Sequence, residues 1–253
     1  MDRPAHEVIH EAKLKFIASQ PHPDDVETTE NTYVINGSVF TRVSRVIDRI
    51  CGAFTGTPRT PAMAARWEAA RQDGVDMHSD IDRWLSLVVA GSIPLDEHVS
   101  FESVAAEQVH RWIIQSGMIP VASELLVVSR EHKYAGRVDC VMYDPAVRLF
   151  CVVDWKRIAQ LRQHHLARYT RQLRLYRFAL EEMFPDVAFS PRSMIVHAHD
   201  DMMASRSEIP LDDDDDDSDD DAPYVATVAR ATTGLSISDE TMRWELQGVM
   251  AGV

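Results

Sequence analysis

Two aspartates and a lysine stand among apolar residues in GRVDCVMYDPAVRLFCVVDWKR, residues 136–157: Asp139 in one run, Asp154 in the next, and Lys156 two positions later. A carboxylate inside a half-buried strand is costly unless it is paired or coordinates a cation. Two aspartates on adjacent antiparallel strands can face the same side and share one ion, a typical arrangement for magnesium. Strand periodicity places Lys156 on the same face as Asp154. An ammonium beside a bound divalent ion suits metal-assisted phosphodiester hydrolysis, which needs a nucleophile generated at the ion and compensation for developing charge. The same residues also suit a plain salt bridge at a sheet edge, so the surroundings must decide.

The elements that would hold these residues can be read from periodicity. Residues 1–29 read as an N-terminal arm, with a short helical pattern in HEVIHEAKLKFIA followed by an aperiodic acidic stretch. Asn36-Gly37 between two β-prone runs predicts a hairpin, and the spacing from Val43 predicts a short helix. TPAMAARWEAARQDG reads as a helix from near Pro61 that stops at Gly74, after which a second helical period runs through Met77, Ile81, Leu85 and Val88. Another helix ends at Gly117, and VASELLVVSR, GRVDCVMYD and RLFCVVDWK follow as three strands. A long helix then carries the stripe Leu166, Tyr169, Leu173, Tyr176 and Leu180. RSMIVHAH and PYVATVAR read as two more strands, and SDETMRWELQGVMA as a closing helix. The order predicts an α/β or α+β fold, a mixed central sheet flanked by helices, as one domain over residues 30–253.

Several residues around the first three agree with a built site. Glu124 lies in the preceding strand, Gly136 opens the next as G-x-x-D, Gln172 and Tyr176 share a helix face at i and i+4, and His78 follows Gly74 as G-x-x-x-H. In this order, Gly74 to His78, Glu124, Gly136 to Asp139, Asp154 to Lys156 and Gln172 to Tyr176, the chain resembles the PD-(D/E)XK nucleases. Within them it is most similar to the RecB-like exonuclease branch that includes mitochondrial genome-maintenance exonucleases and CRISPR-adaptation nucleases. The resemblance spans roughly residues 33–200, counting a weaker match of YVINGSVFTRVSRVI to the opening hairpin of that branch. It implies a restriction-endonuclease-like core and a DNA nuclease, more an exonuclease on ends or single strands than a sequence-specific endonuclease. It further implies Asp139, Asp154 and His78 as metal ligands, and Lys156 as the residue that positions or activates the attacking water. Glu124 would be a secondary ligand or a group just behind the ligands, and Gln172 and Tyr176 would orient the site and touch the DNA backbone. Magnesium or manganese is the implied cofactor, the latter because imidazole suits a softer ion. Two departures are mild: Arg157 follows the lysine where a small hydroxyl residue is common, and Ser44, assigned to DNA contact, stands where threonine is usual. The cluster-binding cysteines of some relatives are missing, so no iron–sulfur cluster is expected. A catalytically idle nuclease fold that binds nucleic acid, or an RNA endonuclease of the same superfamily, is the rival expectation.

Charge leaves a polyanionic partner possible. The chain of 253 residues carries a formal charge of −14, which becomes −5 without the nine acids of DDDDDDSDDD at 212–221. From Lys156 to Arg177 there is no acid, while Arg157, Arg162, Arg168, Arg171 and Arg174 supply a cationic helix that suits DNA phosphates. The aspartate run reads as a disordered insertion at 211–222, a solubilising loop, a mimic of DNA or a docking segment for a basic protein partner. Cys51, Cys140 and Cys151 fall at no metal-ligand spacing. No apolar run approaches the ~20 residues needed to span a bilayer, and the first residues resemble no signal or transit peptide, so an intracellular protein off the membrane is expected.

Overall fold

The computed structural model of the chain describes residues 3–52, 60–97, 99–158, 163–198, 228–230 and 246. Arg162, the aspartate run at 211–222 and most of the expected closing helix lie outside them; within that helix, Leu246 is helical and buried in the core. In chain order the elements are α1 (Ala5–Ser19), β1 (Val26–Thr28), β2 (Thr32–Ile35), β3 (Ser38–Arg42), α2 (Val43–Cys51), α3 (Pro61–Val89), α4 (Val104–Ser116), β4 (Ile119–Ser129), β5 (Tyr134–Asp144), β6 (Leu149–Arg157), α5 (Gln163–Met183), β7 (Met194–Ala198) and β8 (Val228–Arg230). The fold is mixed α/β, a central mixed sheet with helices on both faces, as the element order predicts. Among the described residues no helix is long and apolar enough to cross a membrane.

Local signals set several boundaries. Asn36 and Gly37 both take left-handed φ angles, 49° and 74°, which turns the β2–β3 hairpin in the sense that matches strand twist. The Thr60 hydroxyl accepts from Met63 N at 3.1 Å, Pro61 occupies the first turn of α3, and Ser103 caps α4, which ends at left-handed Gly117.

The sheet is organised around β5. One edge pairs antiparallel with β4 from Ile119↔Tyr143 to Ser129↔Tyr134. The other edge is shared: Tyr134 and Ala135 pair in parallel with β3, while Cys140 to Asp144 pair antiparallel with β6. Residues Gly136 to Asp139 therefore face a fork between β3 and β6. Beyond the fork β6 runs parallel to β7, from Val153↔Met194 to Arg157↔Ala198.

Alternation along β6 divides its side chains between two cores. Phe150 and Val152 pack toward α1, α2 and α5, whereas Cys151, Val153 and Trp155 pack toward α3 and α4. Asp154 and Lys156 continue the first series and so meet α5 at the end of the strand.

Tertiary packing ties the N-terminal segment to the sheet and overrides one local expectation. Within the first 29 residues α1 buries Ala12 and Phe16 against the sheet, with Phe16 edge-on to Phe184 at 4.8 Å. Just beyond α1, Gln20 bonds both the carbonyl and the amide of Leu126 on β4, at 3.2 and 2.9 Å. The helix expected to stop at Gly74 runs on to Val89 as one 29-residue element. A mid-helix glycine costs only about 1 kcal/mol relative to alanine. That is less than the burial of Met77, Ile81, Trp84 and Leu85, which requires the helix to continue in register.

Candidate metal centre

The site begins where β6 leaves β5. The pairing Cys140↔Val153 would continue as Asp139 opposite Asp154, but Trp155 N donates instead to Asp139 Oδ2 at 2.8 Å. A side-chain carboxylate thus takes the place of the next strand carbonyl. Both aspartates are buried, Asp139 8% and Asp154 1% exposed.

Glu124 arrives from the opposite side of β5, between the pairs Ser123↔Cys140 and Leu125↔Val138, hence beside Asp139. Its φ of 47° lies in the left-handed region, which is strained for a residue with a side chain and interrupts strand alternation at this one position. His78 comes from α3. Its Nε2 lies 3.2 Å from Trp155 O and its Nδ1 3.7 Å from Asp139 Oδ2. With Nε2–H donating to that carbonyl, Nδ1 carries the lone pair and faces the carboxylates, the tautomer a metal ligand needs.

One donor atom each from His78, Glu124 and Asp139 lie within 4.8 Å of one another. Ligands about 2.1 Å from one divalent ion stand roughly 3–4 Å apart, so small inward shifts would close the group on a cation. The donor chemistry fits: two hard carboxylates and one imidazole suit magnesium, manganese or a similar ion. Asp154 stands beside this group rather than in it. Its Oδ2 lies 2.6 Å from Lys156 Nζ and is buried without accepting a hydrogen bond of good angle, while Oδ1 accepts from Gln172 Nε2 at 3.4 Å. The cation this buried acceptor holds is the Lys156 ammonium. The ligand set implied by sequence was His78, Asp139 and Asp154, with Glu124 secondary. The compact group contains Glu124, because the register of β4 on β5 brings it next to Asp139 and Lys156 draws the Asp154 carboxylate toward itself.

Burial dominates the electrostatics. It pushes Glu124 up to about 7, helped by the neighbouring Asp139 charge, and raises Asp139 as well. Asp154 is likewise pushed up to about 7 by burial, which the Lys156 charge opposes. Burial alone would lower the Lys156 ammonium, but Asp154 and Asp139 together overcome it and hold the group above its ordinary range. Its charge also lies 5.1 Å from the Tyr169 ring centroid. His78 is lowered, first by burial and then by Lys156, and so stays neutral.

Gln172 Nε2 also donates to Tyr176 Oη at 3.1 Å, which links the two α5 residues to Asp154. Gly136 makes this possible. A Cβ there would lie 2.7 Å from Tyr176 Cε1 and 3.0 Å from Val43 Cγ2, so the close approach is to an internal ring rather than to a ligand.

His78, Glu124, Asp139, Lys156, Gln172 and Tyr176 floor a cleft of about 680 Å³, whose walls include Tyr33, Arg42, Val43 and Ser44 on one side and Ala70, Arg71, Gly74 and Val75 on another. Arg137, Lys156 and Arg157 add to its cationic lining. Ser44 and Arg157, expected at the site, are there; Arg157 also pairs with Asp73 at 3.0 Å. Arg168 is directed elsewhere, to Asp48 and the Gly52 carbonyl, tying α5 to α2. Neither Arg171 nor Arg174 lines the cleft. Arg168 of the cationic helix read from sequence thus spends its charge on packing, whereas the cleft holds Arg42, Arg71 and Arg137, on elements distant in the chain, which the sequence reading did not single out. No local signal separates them from surface arginines.

No protein-family model and no curated protein matches the chain. The His/Glu/Asp group and the adjoining ammonium rest on geometry alone, a buried site capable of holding a metal ion and of supporting hydrolytic chemistry.

Proposed function

We propose that the protein is a metal-dependent nuclease that hydrolyses DNA phosphodiester bonds, working from ends or on single strands. The observation that carries this reading is the nested charge of the cleft: acids and one imidazole at the floor, Lys156 beside them, and Arg42, Arg71, Arg137 and Arg157 around the walls. A scissile phosphate over the floor would have its neighbouring phosphates among the arginines.

The residues present would hold a magnesium or manganese ion through His78, Glu124 and Asp139, with Asp154 adjacent. When bound, the ion would polarise the phosphate and acidify a water molecule. Lys156 stays protonated, so it serves as a donor that orients the attacking water or steadies charge on a phosphate oxygen. Asp154 fixes the ammonium in place, and Gln172 fixes Asp154. The neutral His78 keeps its Nδ1 lone pair on the donor side. The likeness of the residue pattern to the RecB-like branch supports an end-directed reaction.

The test is incubation of wild type and Lys156→Ala with end-labelled single- and double-stranded DNA, with magnesium, manganese or chelator. Metal-dependent laddering from one end, lost in the variant, is expected. Binding without cleavage of any substrate would replace this reading with an idle nucleic-acid-binding module, and cleavage confined to RNA would replace it with a ribonuclease.

A further inference from the structure

The first three turns of α3 project from the body. Residues 61–72 are exposed on nearly every side, with only Ala64 partly covered, whereas Met77, Ile81, Trp84 and Leu85 farther along are buried. Composition favours helix over this half: five alanines between 62 and 70, a Thr60 cap with Pro61, and the Glu68–Arg71 pair. Exposed helix surface is ordinarily polar. Here it carries Trp67, 37% exposed.

Trp67 is placed by helical arithmetic. Residues 67, 71, 74 and 78 fall at i, i+4, i+7 and i+11, so Trp67, Arg71, Gly74 and His78 form one stripe along α3. The last three line the cleft. Eleven residues at ~1.5 Å each set Trp67 about 16 Å beyond His78, on the same side. At ~3.4 Å per stacked nucleotide that distance spans about five nucleotides, fewer if the strand is extended.

We propose that the projecting half of α3 is a track for a single nucleic-acid strand leaving the metal centre, with Trp67 the ring on which a base several nucleotides from the scissile bond stacks. The proposal rests on the nuclease reading and specifies its substrate: an unpaired strand several nucleotides long. Two features favour this occupant over an apolar partner. The stripe is continuous with the cleft, and Arg71 stands between Trp67 and the floor, where a strand's phosphates would pass. Gly74 leaves open space at the step between, since a Cβ there would meet nothing within 4 Å. An unpaired base offers a ring to Trp67; a duplex keeps its bases stacked inside.

The test compares Trp67→Ala and Trp67→Phe with wild type on single strands of about two and about ten nucleotides. One base stacked on an aromatic ring is worth enough that the ratio of kcat/KM for the long over the short substrate should fall about tenfold in Trp67→Ala and largely recover in Trp67→Phe. In parallel, tryptophan fluorescence of Lys156→Ala titrated with unlabelled oligothymidylate should be quenched, and the quench should shrink when Trp67→Phe is added. An equal loss on both lengths would assign Trp67 to structure, and an unchanged ratio and quench would overturn the track. Wild type that binds and quenches without cleaving anything would remove the nuclease reading and leave the track standing. Wild type that neither binds nor cleaves would end both.

Discussion

Trp155 N donates to Asp139 Oδ2 at 2.8 Å, where the ladder between β5 and β6 would otherwise have continued. The bond holds the two strands together at the point where they separate, and it orients a buried carboxylate toward His78 and Glu124. A glycine-to-aspartate segment of β5 is thereby left facing the fork, and the candidate metal centre occupies it. The same carboxylate serves the fold and the site, so substitutions there separate the two roles.

Asp139→Asn keeps an acceptor for Trp155 N–H and removes a buried charge. Without metal its melting temperature should equal or exceed that of wild type, because the desolvated carboxylate is gone. With millimolar manganese the wild type should gain a few kcal/mol and the variant almost nothing, read by thermal denaturation with and without chelator.

The pH dependence follows from Glu124 and Asp154, both held up to about 7 against ordinary values of 4.5 and 3.8. Between those values and about 7 the folded chain keeps protons that the unfolded chain has released. Stability without metal therefore declines as pH rises through this window and levels off above it. A bound ion needs the ionised carboxylates, so metal-induced stabilisation should be larger at about pH 8 than at about pH 5.5. Melting curves across pH, with manganese and with chelator, check both slopes; a metal effect independent of pH would contradict the assignment.

Two glycines should respond in opposite directions. Gly136→Ala drives a Cβ to 2.7 Å from the Tyr176 ring and should cost about 1–3 kcal/mol, with loss of the Gln172–Tyr176 contact. Gly74→Ala meets nothing within 4 Å and replaces a mid-helix glycine, so it should stabilise by about 0.5–1 kcal/mol. Chemical denaturation of the two variants measures the contrast.

Arginines in the cleft and arginines in the fold should separate in salt titrations. Arg137→Ala should lower the slope of log K against log salt for oligonucleotide binding by roughly one phosphate contact. Arg168→Ala, which breaks the tie to Asp48 and Gly52, should lower the melting temperature and leave that slope unchanged.

The contrast between local and distant information runs through these residues. The Asn36-Gly37 turn, the Thr60 and Ser103 caps and the placement of Asp154 with Lys156 are set by torsions and periodicities a few residues long, so their spacing alone determined them. The pairing of Gln172 with Tyr176 is of the same kind, one helical turn apart. The continuity of α3 through Gly74 was not legible, because a local cost of about 1 kcal/mol is decided against by a core assembled from other elements. Nor was the docking of α1, whose apolar side has no partner until β6 and α5 are in place.

At the site itself, residue types determined that buried acids, a lysine and a histidine exist and that their pattern suits a divalent ion. Only the tertiary structure decided which of them converge. Glu124 joins His78 and Asp139 through the register of β4 on β5 and a left-handed φ at one residue. Lys156 draws Asp154 aside, and among the described residues the arginines that line the cleft come from β3, α3, β5 and β6 rather than from the basic helix. Charge in a sequence is countable, but the direction in which it points is set by packing between segments far apart in the chain.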